Sequence, residues 1–140
     1  MELPVSLHES FIQRGSILHA AIFEDIDHGK FFAVMGISGD KIAGFFFINS
    51  RIHPAILKRP AQLAMQYLLR QQDYAFLNYD SYLCATAILQ IPIAEIAQSM
   101  SEGRTTHVGE LTEKDLSTIL DLCRSSELFS RSEKQKFFYP

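Results

Sequence analysis

No apolar run in this chain approaches the roughly 20 residues that a membrane-spanning helix needs. The longest, residues 31–37 and 42–48, are parted by the polar tetrapeptide Ser38-Gly39-Asp40-Lys41. The first ten residues hold two acids and neither a basic nor an apolar leader segment, so a cytoplasmic protein without a membrane association is expected. Cysteine is scarce: Cys84 and Cys123 fall in a predicted strand and on the apolar face of a predicted helix, where a free thiol acts as a small buried hydrophobe. A disulfide between them is open on sequence alone, and a reducing compartment disfavours it. A basic excess is also missing. The formal net charge of −3 counts against a general nucleic-acid binder, although a local cleft can be basic on an acidic protein. No phosphate loop, dinucleotide fingerprint or nucleophile elbow occurs. The five histidines, His8, His19, His28, His53 and His107, are scattered without metal-ligand spacing, so no metal or cofactor is predicted.

What is present suits one domain over residues 1–140. The chain is 47% hydrophobic and 21% charged, enough for a single core, and no repeat or Pro/Gly/Ser linker divides it. A first strand is expected over residues 16–23. The runs 31–37 and 42–48 form the clearest hairpin, with Gly39 in its turn available for positive φ. Residues 62–70 alternate as a strand at Leu63, Met65, Tyr67 and Leu69, yet Pro60 can also open a helix there; the strand is the preferred reading. Residues 74–77 and 82–91 are further extended candidates. Pro92 then opens a short helix with Ile93, Ile96, Ala97 and Met100 on one side, ended by Glu102-Gly103. Thr112 caps a final amphipathic helix, with Glu113 and Asp115 at its positive end and Leu116, Ile119, Leu120 and Cys123 on the face that should lie on the sheet. Residues 132–138 read either as one more short helix or as a basic-aromatic tail that frays or docks on a partner.

Three polar groups stand out. Asp25, Asp27 and His28 hold ligand-type side chains before the hairpin, but with no second His or Cys cluster they read as a solvated turn before a metal-dependent hydrolase. Where the hairpin ends, Asn49-Ser50-Arg51-Ile52-His53-Pro54 supplies an amide, a guanidinium fork suited to phosphate and an imidazole that titrates near neutrality. An exposed polar loop is the plainer account of that run. In Asn78-Tyr79-Asp80-Ser81-Tyr82, Asp80 can orient a partner or act as base and Ser81 can donate to a developing oxyanion, beside rings suited to stacking an unpaired base. The plainer account here is an Asx-type turn with both tyrosines packed on the sheet.

The order of first strand, hairpin, extended 82–91 segment, short helix, and Val108-Gly109-Glu110-Leu111-Thr112 leading the last helix resembles the PemK/MazF toxin layout over residues 15–126. The best match is the Gly-x-Leu-Ser/Thr step, here Gly109, Leu111 and Thr112, before the closing helix. The resemblance implies an α+β fold: a small SH3-like β-barrel of five to seven mostly antiparallel strands with a C-terminal amphipathic helix. It further implies a two-fold homodimer, metal-independent endoribonuclease activity on single-stranded RNA, and an antitoxin protein as partner. By position, Lys30 stands where the family has a loop Arg, with His28 beside it, and Ser81 supplies the hydroxyl. The expected working set is therefore Lys30, Ser81, Asp80 and His28 for chemistry, with Arg51, His53, Asn49, Tyr79 and Tyr82 against RNA. A non-catalytic binding module on the same fold, facing a protein partner, is the alternative.

Overall fold

Alternation along the hairpin explains why both of its strands are apolar at nearly every position. The computed structural model describes residues 4–21 and 29–140. In it β1 (Ser16–Ala20), β2 (Lys30–Ile37) and β3 (Ile42–Asn49) follow a short helix α1 (Val5–Glu9). Ala33 and Met35 of β2 and Phe46 and Ile48 of β3 enter one core, and Phe32, Val34, Ala43 and Phe45 enter another on the opposite face. A strand buried on both faces has no polar positions to show, so its sequence reads as a continuous apolar run.

Beyond β3 come α2 (Pro54–Leu57), α3 (Pro60–Leu63), β4 (Gln66–Leu69), a 3₁₀ turn at Gln71–Asp73, β5 (Ser81–Cys84) and β6 (Leu89–Pro92). The chain continues through α4 (Ile93–Ser101), β7 (Thr105–Glu110), α5 (Glu113–Ser125) and α6 (Arg131–Phe137). The strands make a seven-stranded sheet in the order β4-β5-β3-β2-β1-β7, with β6 also on β3, and each ladder is antiparallel. The fold is thus α+β. One face is covered by α5 and the C-terminal segment through Ile119, Leu120, Cys123, Phe129, Phe137 and Phe138, the other by Ile12 and by Ile93, Ile96 and Ala97 of α4. Among the described residues no helix is long and apolar enough to cross a membrane. Both cysteines are free thiols, Cys123 fully buried and Cys84 half-buried.

Several expectations held. The hairpin, α4 and α5 lie where periodicity put them, and Thr112 accepts the Asp115 amide at 3.1 Å as the α5 cap. Others need correction. The first strand stops at Ala20, and residues 22–28 lie outside the described residues. Residues 62–70 divide, with Leu63 ending a helical turn and β4 starting at Gln66. Residues 74–77 form a turn closed by the Leu77 amide on the Tyr74 carbonyl at 3.1 Å; their rings are apolar because they pack, not because they extend. Residues 82–91 break after Cys84, since β5 pairs with the end of β3 and β6 with its beginning. In the hairpin turn the positive φ, 62°, belongs to Lys41 and not to Gly39.

The C-terminal residues are built into the fold. Ser130 and Glu133 form a reciprocal capping box on α6, which delivers Phe137 and Phe138 to full burial. Gly36 and Gly44 are paired across β2 and β3 and leave the room Phe137 fills. A Cβ at Gly44 would sit 2.6 Å from the Phe137 ring, and one at Gly36 would collide with its carbonyl. Two guanidinium groups hold the backbone of this segment: Arg14 Nη2 donates to the carbonyls of Phe137 and Tyr139, each at 3.0 Å, and Arg124 Nε donates to that of Phe138 at 2.7 Å. Arg14 Nε also bonds the Met35 carbonyl at 2.8 Å, beside the register shift in β2. Burial lowers the Arg14 pKa, with Arg124 nearby adding to the effect.

Replacing Phe137 with Ala should cost about 3–5 kcal/mol through lost contacts and the cavity left behind. Lys41→Gly should instead stabilise by about 1 kcal/mol by relieving a left-handed conformation that a side chain resists. Urea unfolding measures both, and an unchanged midpoint for Phe137→Ala would mean that the tail is not docked in solution.

Candidate functional site

The open end of the hairpin, opposite its turn, is where polar side chains gather. Lys30 begins β2 and Asn49 ends β3, one step beyond the Phe31–Ile48 pair. The Lys30 ammonium therefore reaches the Asn49 side-chain oxygen and also stands 5.3 Å from the centre of the Phe47 ring. Partial burial lowers the Lys30 pKa, because the charged form loses solvent, with a small opposing contribution from Cys84.

From Asn49 the chain runs through Ser50, Arg51 and Ile52 to His53, whose Nδ1 accepts the Ala55 amide at 3.1 Å and so caps α2. In the neutral ring that bond leaves the proton on Nε2. The Arg51 guanidinium is exposed and makes no hydrogen bond or ion pair among the described residues. These groups share one cleft of about 590 Å³ whose other wall is the 76–81 loop. Its lining includes Lys30, Asn49, Arg51, His53, Tyr79 and Ser81, and no carboxylate among the described residues. Tyr79 is 58% exposed, so its ring face is available to a ligand.

The expected residues thus separate into two groups. Lys30, Asn49, Arg51, His53 and Tyr79 all line the cleft, with the Lys30–Asn49 pair at its edge on the Phe47 face of the sheet, opposite the Phe31 and Ile48 side chains. Ser81 reaches the cleft wall but is 3% exposed and donates to the Tyr79 carbonyl at 3.1 Å, so its hydroxyl serves the loop. Asp80 turns to a separate hollow beside Leu68, Arg70 and Gln72, where its Oδ1 accepts the Gln71 amide at 2.8 Å. Tyr82 pairs with Asn49 across the ladder, and alternation puts it on the other face of β5 from Ser81. His28, with Asp25 and Asp27, lies outside the described residues. Sequence reasoning missed Phe31 and Phe76, which line the cleft with ring centres 4.9 Å apart; inside runs that looked like strands, their only signal was that of core residues. Among the described residues no three His, Cys, Asp or Glu side chains come together to hold a metal ion.

A second hollow of about 660 Å³ lies where β4 meets α5, and its Tyr67, Thr112 and Asp115 side chains are already engaged. Tyr67 donates to Asp115 Oδ1 at 2.6 Å, Tyr74 donates to Oδ2 of the same carboxylate, and the Thr112 amide donates to the Tyr74 oxygen at 3.2 Å. This is a clamp that fixes the start of α5 on the sheet. Its lining mixes Arg70 and Lys114 with Asp73 and Asp115, which gives no net preference for a charged ligand. The cationic cleft is the candidate site.

The clamp makes an alkaline prediction. Burial, and then the Asp115 hydrogen bond, push the Tyr67 pKa up to about 12 from an ordinary 10.0, and the same causes raise Tyr74. A phenol harder to ionise folded than unfolded contributes stability that is complete below pH ~10 and lost as the pH rises towards the folded value. Absorbance titration at the phenolate band should show Tyr67 ionising near pH 12, and Asp115→Asn should lower that midpoint without removing the part due to burial. An unmoved midpoint in the variant would break the link to Asp115.

Compared with protein families and with curated proteins, the chain matches no family model and no curated protein, so the reading of the cleft rests on its own side chains.

Proposed function

We propose that this protein is a PemK/MazF-like, toxin-type domain that binds single-stranded RNA in the cationic cleft and cuts it without metal. One observation carries the reading: Arg51 and His53 line a cleft with no described carboxylate, beside the exposed Tyr79 ring. A cationic cleft without a carboxylate among the described residues suits a phosphate, and an exposed ring suits an unpaired base. In such cleavage the 2′-oxygen attacks the neighbouring phosphorus and the bond to the 5′-oxygen breaks. One proton leaves the 2′-hydroxyl and one reaches the departing oxygen. His53 is assigned to the 2′-hydroxyl proton, which Nε2 accepts once the ring gives up its Ala55 bond and carries its own proton on Nδ1. Solvent water protonates the departing oxygen, Arg51 is assigned to the phosphate oxygens, and Lys30 adds positive charge from the neighbouring face of the sheet. Ser81 and Asp80 are assigned to holding the loop that carries Tyr79. The resemblance adds closure of the sheet into a small SH3-like barrel, a homodimer and an antitoxin partner to this proposal.

Binding without cutting is the second reading. It is favoured by the Ser81 hydroxyl's engagement with backbone and by Lys30 being spent on Asn49. Incubation with single-stranded RNA in EDTA separates the two. Cutting by the wild type is expected, with 2′,3′-cyclic phosphate ends. Arg51→Ala should lower kcat/KM by ~10²–10³ and His53→Ala by ~10²–10⁴, while Ser81→Ala stays within a few-fold. RNA retained but uncut would establish the second reading, and RNA neither bound nor cut would remove both.

A further inference from the structure

The charges of this acidic chain are segregated. Residues 41–72 hold five of the thirteen Lys and Arg residues and none of the sixteen acids. At the centre of that stretch, α2 and α3 form an arm that starts in the cleft wall at His53 and Pro54 and buries none of its own residues. A proline occupies the first turn of each helix, which fixes the local backbone before any ligand arrives. Lys58 and Arg59 lie between the two helices, exposed and without a hydrogen bond or ion pair from their side chains among the described residues. They are flanked by Leu57, 57% exposed, and Leu63, 36% exposed. Solvent-facing leucines beside unpaired cations on a stiffened segment do nothing for the core.

We propose that this arm extends the cleft as a second contact for single-stranded RNA, with Lys58 and Arg59 on phosphates and Leu57 and Leu63 against unstacked bases. The inference rests on the reading of the cleft as an RNA site and names how a longer strand is held beyond it. Charge complementarity selects a polyanion, and the exposed leucines select one whose bases are not hidden in a duplex. An anionic membrane surface fits less well. Each helix has four residues, too few for the continuous apolar face that lies in a bilayer interface, and the Lys58-Arg59 pair interrupts the leucines.

The test is fluorescence anisotropy in EDTA with a five-nucleotide and a fifteen-nucleotide single-stranded RNA, both 2′-O-methylated to prevent cutting, across a range of KCl concentrations. Wild type, Lys58→Gln/Arg59→Gln and Arg51→Ala are compared, with thermal melts as the check on folding. For the fifteen-mer the double variant should bind about tenfold more weakly at moderate salt, and its log–log salt slope should fall by ~1.4, as expected for two lost phosphate contacts on a single strand. The five-mer should distinguish only Arg51→Ala. A wild-type slope in the double variant overturns the arm while leaving the cleft reading intact. Weakening by the double variant with no effect of Arg51→Ala overturns the cleft reading instead, and no binding by the wild type overturns both. Phosphatidylserine vesicles held by the arm, with fifteen-mer affinity unchanged in the double variant, would replace RNA by a membrane as its ligand.

Discussion

The antiparallel pairing of β2 with β3 is the constraint on which the rest of this structure depends. β3 also carries β5 at its end and β6 at its beginning, and β2 carries β1, so five of the seven strands form or pair with one hairpin. Its two ends have different tasks. Near the turn, the facing glycines Gly36 and Gly44 leave room for Phe137 and let the C-terminal segment close over the sheet. At the open end, the strands stop one residue past their last apolar pair and present Lys30 and Asn49 to solvent.

Separating these ends keeps the polar site away from the densest packing. The buried rings near the turn tolerate no unpaired polar group, and the guanidinium groups there are held by backbone carbonyls. At the open end, Arg51 and the second nitrogen of His53 have no described protein partner, which leaves hydrogen-bonding capacity for a ligand. The Asp115 clamp fixes α5 against β4 and the 74–77 turn. The loop that follows that turn forms the far wall of the cleft, so the clamp also sets the position of that wall.

Much of this was legible in the residues, and the parts that were not share a cause. The hairpin, the Thr112 cap and the α4 stripe follow from local periodicity and capping chemistry, which act between residues close in sequence. The 74–77 turn was misread because Tyr74 and Leu77 are apolar for reasons of long-range packing and the Asp115 bond, neither of which leaves a local pattern. The single extended segment over 82–91 failed in the same way: the break at 85–88 exists because β3 offers two separate stretches to pair with.

For the site, the sequence by itself determined the inventory: cations, an amide, an imidazole and tyrosines near strand ends, on an acidic chain without recognised catalytic spacing. Only the tertiary structure decided which of them meet. It brought Lys30, Asn49, Arg51, His53 and Tyr79 to one cleft, turned Asp80 away to bond Gln71, and gave the Ser81 hydroxyl to the Tyr79 carbonyl. Neighbours in sequence such as Asp80 and Ser81 diverged because successive residues of an extended segment point to opposite sides. Residues 30 and 51 converged because the hairpin folds their positions back onto the same end of the sheet.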